Sequence, residues 1–507
     1  MHEIPPILPW NDTNRALVDN VHPPHWQNPE PADCYNLVVI GAGPAGLVTA
    51  ERAAGLGARV ALVESSLMGG DCLNLGCVPS KTLIRCGRAV QSVRDAELFG
   101  VRGGLVPEVD FSRVMQRMQT VRACLSAQGS AHRFREQGVD VFFGRGRFAA
   151  PDRVAVGDRT LRFKKAAVCT GARASAPPIP GLEESGFLTN ETVFSLTNLP
   201  RRLAVIGAGA IGCELAQVFT RLGSVVTLLE YGARLLPRED RDAAGVVQRT
   251  FEAEGTRLCF NVRIVQVSRK ADERIIVYSD NGQDLELTVD AILVGVGRAP
   301  NVTDLGLEKA GVRYHPKSGI EVNDRMQTSN RRIYAAGDVC SLYKFTHTAD
   351  AQARILLANA LFLGRRRRSK LIFPWCTYTS PEVAHVGMYE KEARHKGLEV
   401  TTLTVPLSEV DRAQVDGEIG GFARVHLKKG SDRILGATIV AEHAGEMINE
   451  FSLAINEGLG LRAIGRTLHP YPTQAEGIKK LADAYNLTRL TSWRKKLLGI
   501  WLRLLRR

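Results

Sequence analysis

A βαβ pattern written twice constrains this chain more than any other feature. In the first copy a short apolar strand, Leu37–Ile40, runs into Gly41-Ala42-Gly43-Pro44-Ala45-Gly46. A helical stretch continues to about Gly57, and a second strand, Arg59–Val63, ends in Glu64. In the second copy Leu203–Ile206 runs into Gly207-Ala208-Gly209-Ala210-Ile211-Gly212, and Val225–Leu229 ends in Glu230. The copies align without a gap, Leu37 on Leu203 and Glu64 on Glu230. The first glycine permits the tight turn, the second lets backbone approach a pyrophosphate, and the third allows close helix–strand packing. The pyrophosphate rests on the helix N-terminus, and the acidic residue accepts a ribose hydroxyl. Two such units predict two dinucleotide sites in an α/β chain. Gly41, Gly43, Gly46 and Glu64 serve one site; Gly207, Gly209, Gly212 and Glu230 serve the other.

Soon after the first copy comes Gly69-Gly70-Asp71-Cys72-Leu73-Asn74-Leu75-Gly76-Cys77-Val78-Pro79-Ser80-Lys81. Proline is tolerated in the first turn of a helix, so Pro79 predicts that Cys77 lies at or near a helix N-terminus. The helix dipole there stabilises a thiolate, and Lys81 falls one turn later on the same face. Three readings fit two nearby cysteines: a redox pair, half of a zinc site, or two buried side chains. Zinc calls for closer spacing and a second Cys/His pair nearby, and neither is present.

The full string resembles the redox-active disulfide segment of the flavoprotein disulfide reductases. These are the class I pyridine nucleotide-disulfide oxidoreductases, which include dihydrolipoyl dehydrogenase, glutathione reductase and mercuric reductase. The resemblance implies that Cys77 is the charge-transfer thiol against the flavin, Cys72 the interchange thiol facing substrate, and Lys81 a neighbour of flavin N5. Flavin and disulfide must touch, so the first βαβ unit, with Gly70 beside it, is expected to hold FAD. The second is expected to hold the nicotinamide nucleotide. Glu230 suits a free 2′-hydroxyl and repels a 2′-phosphate, which favours NADH over NADPH, although Arg234 lies near. Glu214 resembles the family's carboxylate partner of Lys81; without the resemblance it reads as a helix-surface charge.

The same resemblance orders the remaining strings. Ala167–Ala172, with Thr170 and Gly171, looks like the passage to the nicotinamide domain. Gly295–Asn301, with Gly297, looks like the return crossing. Ile333–Asp338 looks like the second flavin motif, whose Gly337 and Asp338 lie at the ribityl chain. The expected fold class is therefore α/β, with two Rossmann-like dinucleotide-binding domains (FAD and NAD) and an α+β dimerisation domain. The expected segments are an extended N-terminal arm over 1–33 and an FAD domain over 34–175 and 296–370. A nicotinamide domain spans 176–295, a dimerisation domain 371–490 and a basic tail 491–507. The resemblance also implies a homodimer in which each active site is completed by the partner's C-terminal segment. In the implied cycle NADH passes hydride to flavin N5, the flavin reduces the Cys72–Cys77 disulfide through C4a, and the thiols then reduce or ligate substrate.

His469-Pro470-Tyr471-Pro472-Thr473-Gln474-Ala475-Glu476 bears on the substrate. Thiol-substrate members of the family read His-Pro-Thr, two residues, then Glu, with the His as acid/base for the interchange thiol. Glu476 matches that Glu, but Tyr471 stands where the His belongs. His469 comes two residues early, about 7 Å away along an extended segment. A phenol with a pKa of about 10 is a poor base at neutral pH, but it can donate a hydrogen bond or help ligate a soft metal. Mercuric reductase carries a Tyr here, as does the soluble pyridine nucleotide transhydrogenase, which lacks the dithiol. Two thiolates, Cys72 and Cys77, are apt transient ligands for a soft divalent substrate ion. Mercuric reductases usually end in an adjacent Cys pair and carry an N-terminal metal-binding module; here the last cysteine is Cys376 and no such module is seen. Three redox readings stand: Hg(II) reduction, disulfide reduction through His469 as in dihydrolipoyl dehydrogenase, and reduction of another acceptor such as a quinone. A rival of another class is a membrane-docked flavoprotein that senses nicotinamide redox state without turnover.

The 507 residues are too many for one core. Ten scattered cysteines do not form a secreted disulfide framework, and no secretory signal or apolar span of about eighteen residues is present. A cytoplasmic location is expected, peripheral at the inner face of the membrane if the tail docks there. The net charge of +13 raises nucleic acid as a partner, but no nucleic-acid-binding motif accompanies it. Arg365–Arg368 reads as a solvated loop. After Thr491 the chain reads as an amphipathic helix. Trp493, Leu497, Ile500, Trp501, Leu504 and Leu505 share a face, with Lys495, Lys496, Arg503, Arg506 and Arg507 opposite. It docks either on the protein's own surface or on an anionic membrane.

Overall fold

The computed structural model describes residues 7–102 and 107–506. These fall into two compact units, one built from Met1–Arg234 and Glu254–Leu371, the other from Leu235–Ala253 and Ile372–Arg507. Residues 1–6 of the arm, 103–106 and Arg507 of the tail lie outside the described residues.

The first unit contains two parallel sheets. One orders its parallel strands Val139–Phe143, Val60–Glu64, Tyr35–Ile40, Arg159–Val168 and Ile333–Ala335. The other runs Arg257–Cys259, Val225–Leu229, Arg202–Ile206 and Ala291–Val294. The strand Val-Ala-Leu-Val-Glu over 60–64 is buried at every position. Such an unbroken apolar run is what a strand covered on both faces requires. The first sheet continues through Arg159–Val168 into the antiparallel strands Arg153–Val156 and Gly146–Ala150, whereas Arg263–Lys270, Glu273–Asp280 and Gln283–Val289 form a separate three-stranded antiparallel sheet. The duplication read in the sequence therefore extends past the glycine turns to the neighbouring parallel strands, Val139–Phe143 and Arg257–Cys259 on one side and Arg159–Val168 and Ala291–Val294 on the other. The two crossings between sheets pair with each other, Ala172–Ala174 against Arg298–Pro300.

The second unit is built on a five-stranded antiparallel sheet ordered Pro374–Thr377, Glu382–Gly387, Ile434–Ala441, Phe422–Lys428 and Val400–Pro406. Helix Ala444–Asn456 covers it, and Ile439, Phe451 and Leu481 lie in its core. The chain is thus mixed α/β with an antiparallel α+β portion, as the sequence predicts.

The N-terminal arm departs from the expected extended chain. Asp12–Val21 is a helix, capped by Asn11, whose side chain accepts from the Asn14 N–H at 2.9 Å. Leu17, Val18 and Val21 make a short apolar stripe that is fully buried. Trp26 fastens the following segment, its Nε1 donating to Val141 O at 3.1 Å and its ring edge-on to Phe143. Trp10 is half exposed. Helices Phe111–Ser126 and Ala131–Glu136 lie either side of a 3₁₀ turn.

Candidate active site

The two glycine turns have nearly the same backbone. Gly41 and Gly207 both have φ +100°. The N-caps Gly43 (φ −74°, ψ −175°) and Gly209 (φ −71°, ψ 177°) open helices Pro44–Gly55 and Ala210–Leu222, and neither helix has a side-chain cap. Their first N–H groups are therefore left facing outward, as an anion site needs.

The three glycines of each turn differ in what they answer to. A Cβ on Gly46 would sit 1.8 Å from Gly41 O, and one on Gly212 2.0 Å from Gly207 O. The fold alone forbids side chains there. At Gly43 a Cβ would meet nothing nearer than Gly70 Cα at 3.9 Å, and at Gly209 nothing nearer than Gly295 O at 4.0 Å. Packing does not require glycine at those two positions, whereas close approach of a ligand does. The cradles fit the pyrophosphates of two dinucleotides.

Glu64 and Glu230 are anchored alike. Glu64 accepts from the Ala42 N–H at 2.6 Å and the Ser66 N–H at 2.7 Å. Glu230 accepts from the Ala208 N–H at 2.7 Å and the Gly232 N–H at 2.6 Å. Each carboxylate oxygen keeps a further lone pair for a ribose hydroxyl. Burial raises the Glu64 carboxyl above its usual range, against the pull of the N–H groups.

The cysteine stretch is clamped onto the first turn. Gly69 N–H donates to Ala42 O at 2.8 Å, and a Cβ on Gly70 would lie 2.8 Å from Gly43 Cα. Cys72 lies in the short helix Gly70–Asn74, and Asn74 ties that helix by donating to Met68 O and Gly70 O. Gly76 then caps helix Cys77–Arg94, so Cys77 is the first helical residue, as Pro79 predicts. Both cysteines are free thiols, the reduced form of the pair.

The pair is electrostatically asymmetric. The Cys72 thiol hydrogen-bonds to Cys77 and, with the Thr346 hydroxyl 3.5 Å from Cys77 Sγ and the Lys81 ammonium, overcomes desolvation to bring Cys77 down to about 6. Cys72 moves the opposite way, its proton held by that same bond and by burial. Lys81 Nζ reaches Glu214 Oε2 at 2.6 Å, and Glu214 is buried on the helix that starts at the second glycine turn.

The other predicted residues gather around Arg298. Its guanidinium pairs with Asp71 of the cysteine stretch, lies 3.7 Å from Asp338, and donates to Ala172 O at 2.5 Å. Burial raises the Asp338 carboxyl, which Arg298 and Lys344 oppose. Gly337 faces Ala45, the Cβ atoms 3.4 Å apart if a side chain were added. Thr170 Oγ1 donates to Asn301 O at 2.7 Å, locking the two crossings together. A Cβ at Gly171 or Gly297 would meet nothing within 4 Å. Thr346 and Arg298 were not singled out by sequence reasoning. Arg298 lay inside a string that was, whereas Thr346 had no signal.

In the second unit His469 and Tyr471 differ sharply. His469 Nδ1 faces Thr467 O at 3.0 Å, and Nε2 faces Glu450 Oε1 at 3.0 Å. Both ring nitrogens are occupied by acceptors of the same chain. Tyr471 is 72% exposed, and its OH donates to Asp411 at 3.0 Å, which holds the phenol above its ordinary pKa. Glu476 opens helix Glu476–Thr488, with Oε1 3.4 Å from Lys480 and Oε2 buried without a hydrogen-bond partner. Among the described residues no cluster of three or more His, Cys, Asp or Glu is arranged to hold a metal ion.

Residues 35–353 match the family model described as pyridine nucleotide-disulphide oxidoreductase, and residues 373–482 match that family's dimerisation domain. The mercuric reductase of Lysinibacillus sphaericus is 35% identical over 454 residues, covering 90% of this chain and 83% of the relative. The dihydrolipoyl dehydrogenase of Thermus scotoductus is 36% identical over 459 residues, covering 89% and 97%. Among solved structures, the Cu(II) complex of the HOCl-induced flavoprotein disulfide reductase RclA from Escherichia coli aligns with a TM-score of 0.79. It is 29% identical and covers 88% of this chain and 99% of that one.

Proposed function

This chain belongs to the pyridine nucleotide-disulphide oxidoreductase family, and we propose that within it the protein is an NADH-dependent reductase of thiophilic metal ions, Hg(II) foremost. The family implies FAD and a nicotinamide nucleotide, and its dimerisation domain suggests a homodimer. Gly41, Gly43, Gly46, Glu64, Gly70 and Asp338 would hold FAD, with Thr170, Gly171, Gly297 and Gly337 around it. Gly207, Gly209, Gly212 and Glu230 would hold NADH, the Glu230 carboxylate disfavouring a 2′-phosphate. When bound, FAD supplies the relay for the two electrons of the NADH hydride.

The chain's own residues account for the rest. Cys77, with a pKa brought down to about 6, is a thiolate at neutral pH. Cys72 keeps its proton until a metal ion displaces it, because a thiolate ligand must be deprotonated. The two sulfurs then hold Hg(II), a soft ion suited to thiolates. Lys81, fixed by Glu214, keeps positive charge beside the sulfur pair. The balance is NADH + Hg(II) giving NAD⁺, H⁺ and Hg(0).

The observation that carries the metal over a disulfide substrate is His469. Thiol–disulfide exchange needs a base to take and return a proton. His469 has both ring nitrogens occupied within its own chain, and Tyr471, its phenol pKa raised, is a donor or ligand rather than a base. Tyr471 and Glu476 of the partner subunit would complete the site. The test compares NADH oxidation by FAD-loaded protein with Hg(II) in excess thiol, Cu(II), lipoamide, glutathione disulfide and quinones. Hg(II) turnover abolished by Cys72→Ser supports the reading; Hg(II) turnover that survives Cys72→Ser overturns it.

A further inference from the structure

Helix Ser492–Leu504 exposes a run of large apolar side chains. It is capped by Thr491, and none of its residues is buried. Trp493 is 68% exposed, Trp501 59%, Leu504 59% and Leu505 64%. In the described chain the helix packs no residue into a core of its own chain. Water meets a face of two Trp, several Leu and Ile500, interrupted only by Arg494, which a surface helix normally buries.

The charge on the other side narrows what covers that face. From residue 484 onward the sequence holds Arg489, Arg494, Lys495, Lys496, Arg503, Arg506 and Arg507 and no acidic residue. A second copy of the helix would bring the same positive charge against it. Arg494 also lies within the apolar arc, where it would sit in the seam of a helix pair but can snorkel to a lipid headgroup. The helix is about 20 Å long at 1.5 Å per residue, too short to span a bilayer. Among the described residues no helix is long and apolar enough to cross a membrane. A short helix with Trp and Leu on one face and Lys and Arg on the other suits the interfacial plane of a bilayer.

We propose that residues 492–507 dock the protein on a membrane surface bearing anionic lipid. Trp493, Leu497, Ile500, Trp501 and Leu504 enter the headgroup–acyl boundary, and Lys495, Lys496, Arg503 and Arg506 face the lipid phosphates.

The experiment is flotation of full-length, FAD-loaded protein with vesicles of equal parts phosphatidylglycerol and phosphatidylcholine, and with vesicles of phosphatidylcholine alone. The protein should float with the anionic vesicles, at least about tenfold more weakly with the neutral ones, and less as salt rises. Removing residues 492–507, or the double change Trp493→Ser/Trp501→Ser, should abolish flotation while FAD content and NADH oxidation stay unchanged. Equal flotation with and without the tail overturns the proposal. So does failure of the full-length protein to float. Tail-dependent self-association in lipid-free solution without vesicle binding also overturns it, in favour of a second copy as the occupant.

Discussion

Lys81 Nζ lies 2.6 Å from Glu214 Oε2, joining the helix that Cys77 begins to the helix that starts at the second glycine turn. Glu214 is 5% exposed and Lys81 35%. Lys81→Met removes a cation from beside the thiol pair and from a buried carboxylate. Its stability cost should be about 1–3 kcal/mol, below that of a fully buried pair because Lys81 is partly solvated. NADH-driven reduction of the thiol pair should slow by about tenfold or more. Thermal unfolding and anaerobic stopped-flow reduction read the two effects, and Glu214→Gln should give a smaller version of both.

Thr346 begins helix Thr346–Leu361, and its hydroxyl faces Cys77 Sγ at 3.5 Å. When Cys77 is a thiolate the hydroxyl must be the donor. Thr346→Val removes that donor, so the Cys77 pKa should rise from about 6. The shift should be about one unit, the worth of one hydrogen bond to a charged group. Activity limited by the thiolate should then fall on the acidic side of the pH profile and recover as pH rises. An ultraviolet thiolate titration of the reduced protein checks the shift directly.

The glycine turns invite a paired test. Gly209→Ala should fold, keep FAD and lose NADH affinity, because a Cβ there meets only Gly295 O at 4.0 Å and the backbone φ is −71°. Gly212→Ala should lose folded protein, because its Cβ would lie 2.0 Å from Gly207 O. FAD content, unfolding temperature and the KM for NADH separate the two outcomes.

Glu230 bears on coenzyme choice. Glu230→Ala should raise the KM for NADH and narrow the ratio of kcat/KM for NADH over NADPH, since the carboxylate that disfavours a 2′-phosphate is gone. It also removes the anchor on the Ala208 N–H, so some loss with both coenzymes is expected. A ratio that does not change would count against Glu230 as the discriminating residue.

What the sequence revealed and what it concealed follow from how local each cause is. The two βαβ units were legible because the turn's demands fall at fixed local spacing, as with Gly46 against Gly41 and Gly212 against Gly207. Cys77 at a helix start was legible for the same reason, through Pro79. The Lys81–Glu214 pair came only through family resemblance, since no local pattern links residues 133 apart. Thr346 stands 269 residues from Cys77 and left no trace in spacing. The helix Asp12–Val21 was missed because three apolar residues at its core, Leu17, Val18 and Val21, give too short a stripe among prolines. His469 shows the converse. Sequence offered it as a base, and only coordinates reveal that Glu450 and Thr467 occupy its ring.

The most direct measurement is steady-state NADH oxidation by the wild type, His469→Ala and Tyr471→Phe with Hg(II) in excess thiol and, separately, with lipoamide. The expected result is brisk Hg(II)-dependent turnover that His469→Ala preserves and Tyr471→Phe lowers by about tenfold, with little turnover of lipoamide. Efficient lipoamide turnover that His469→Ala abolishes would contradict it, making His469 the exchange base and the thiol pair a disulfide reductase.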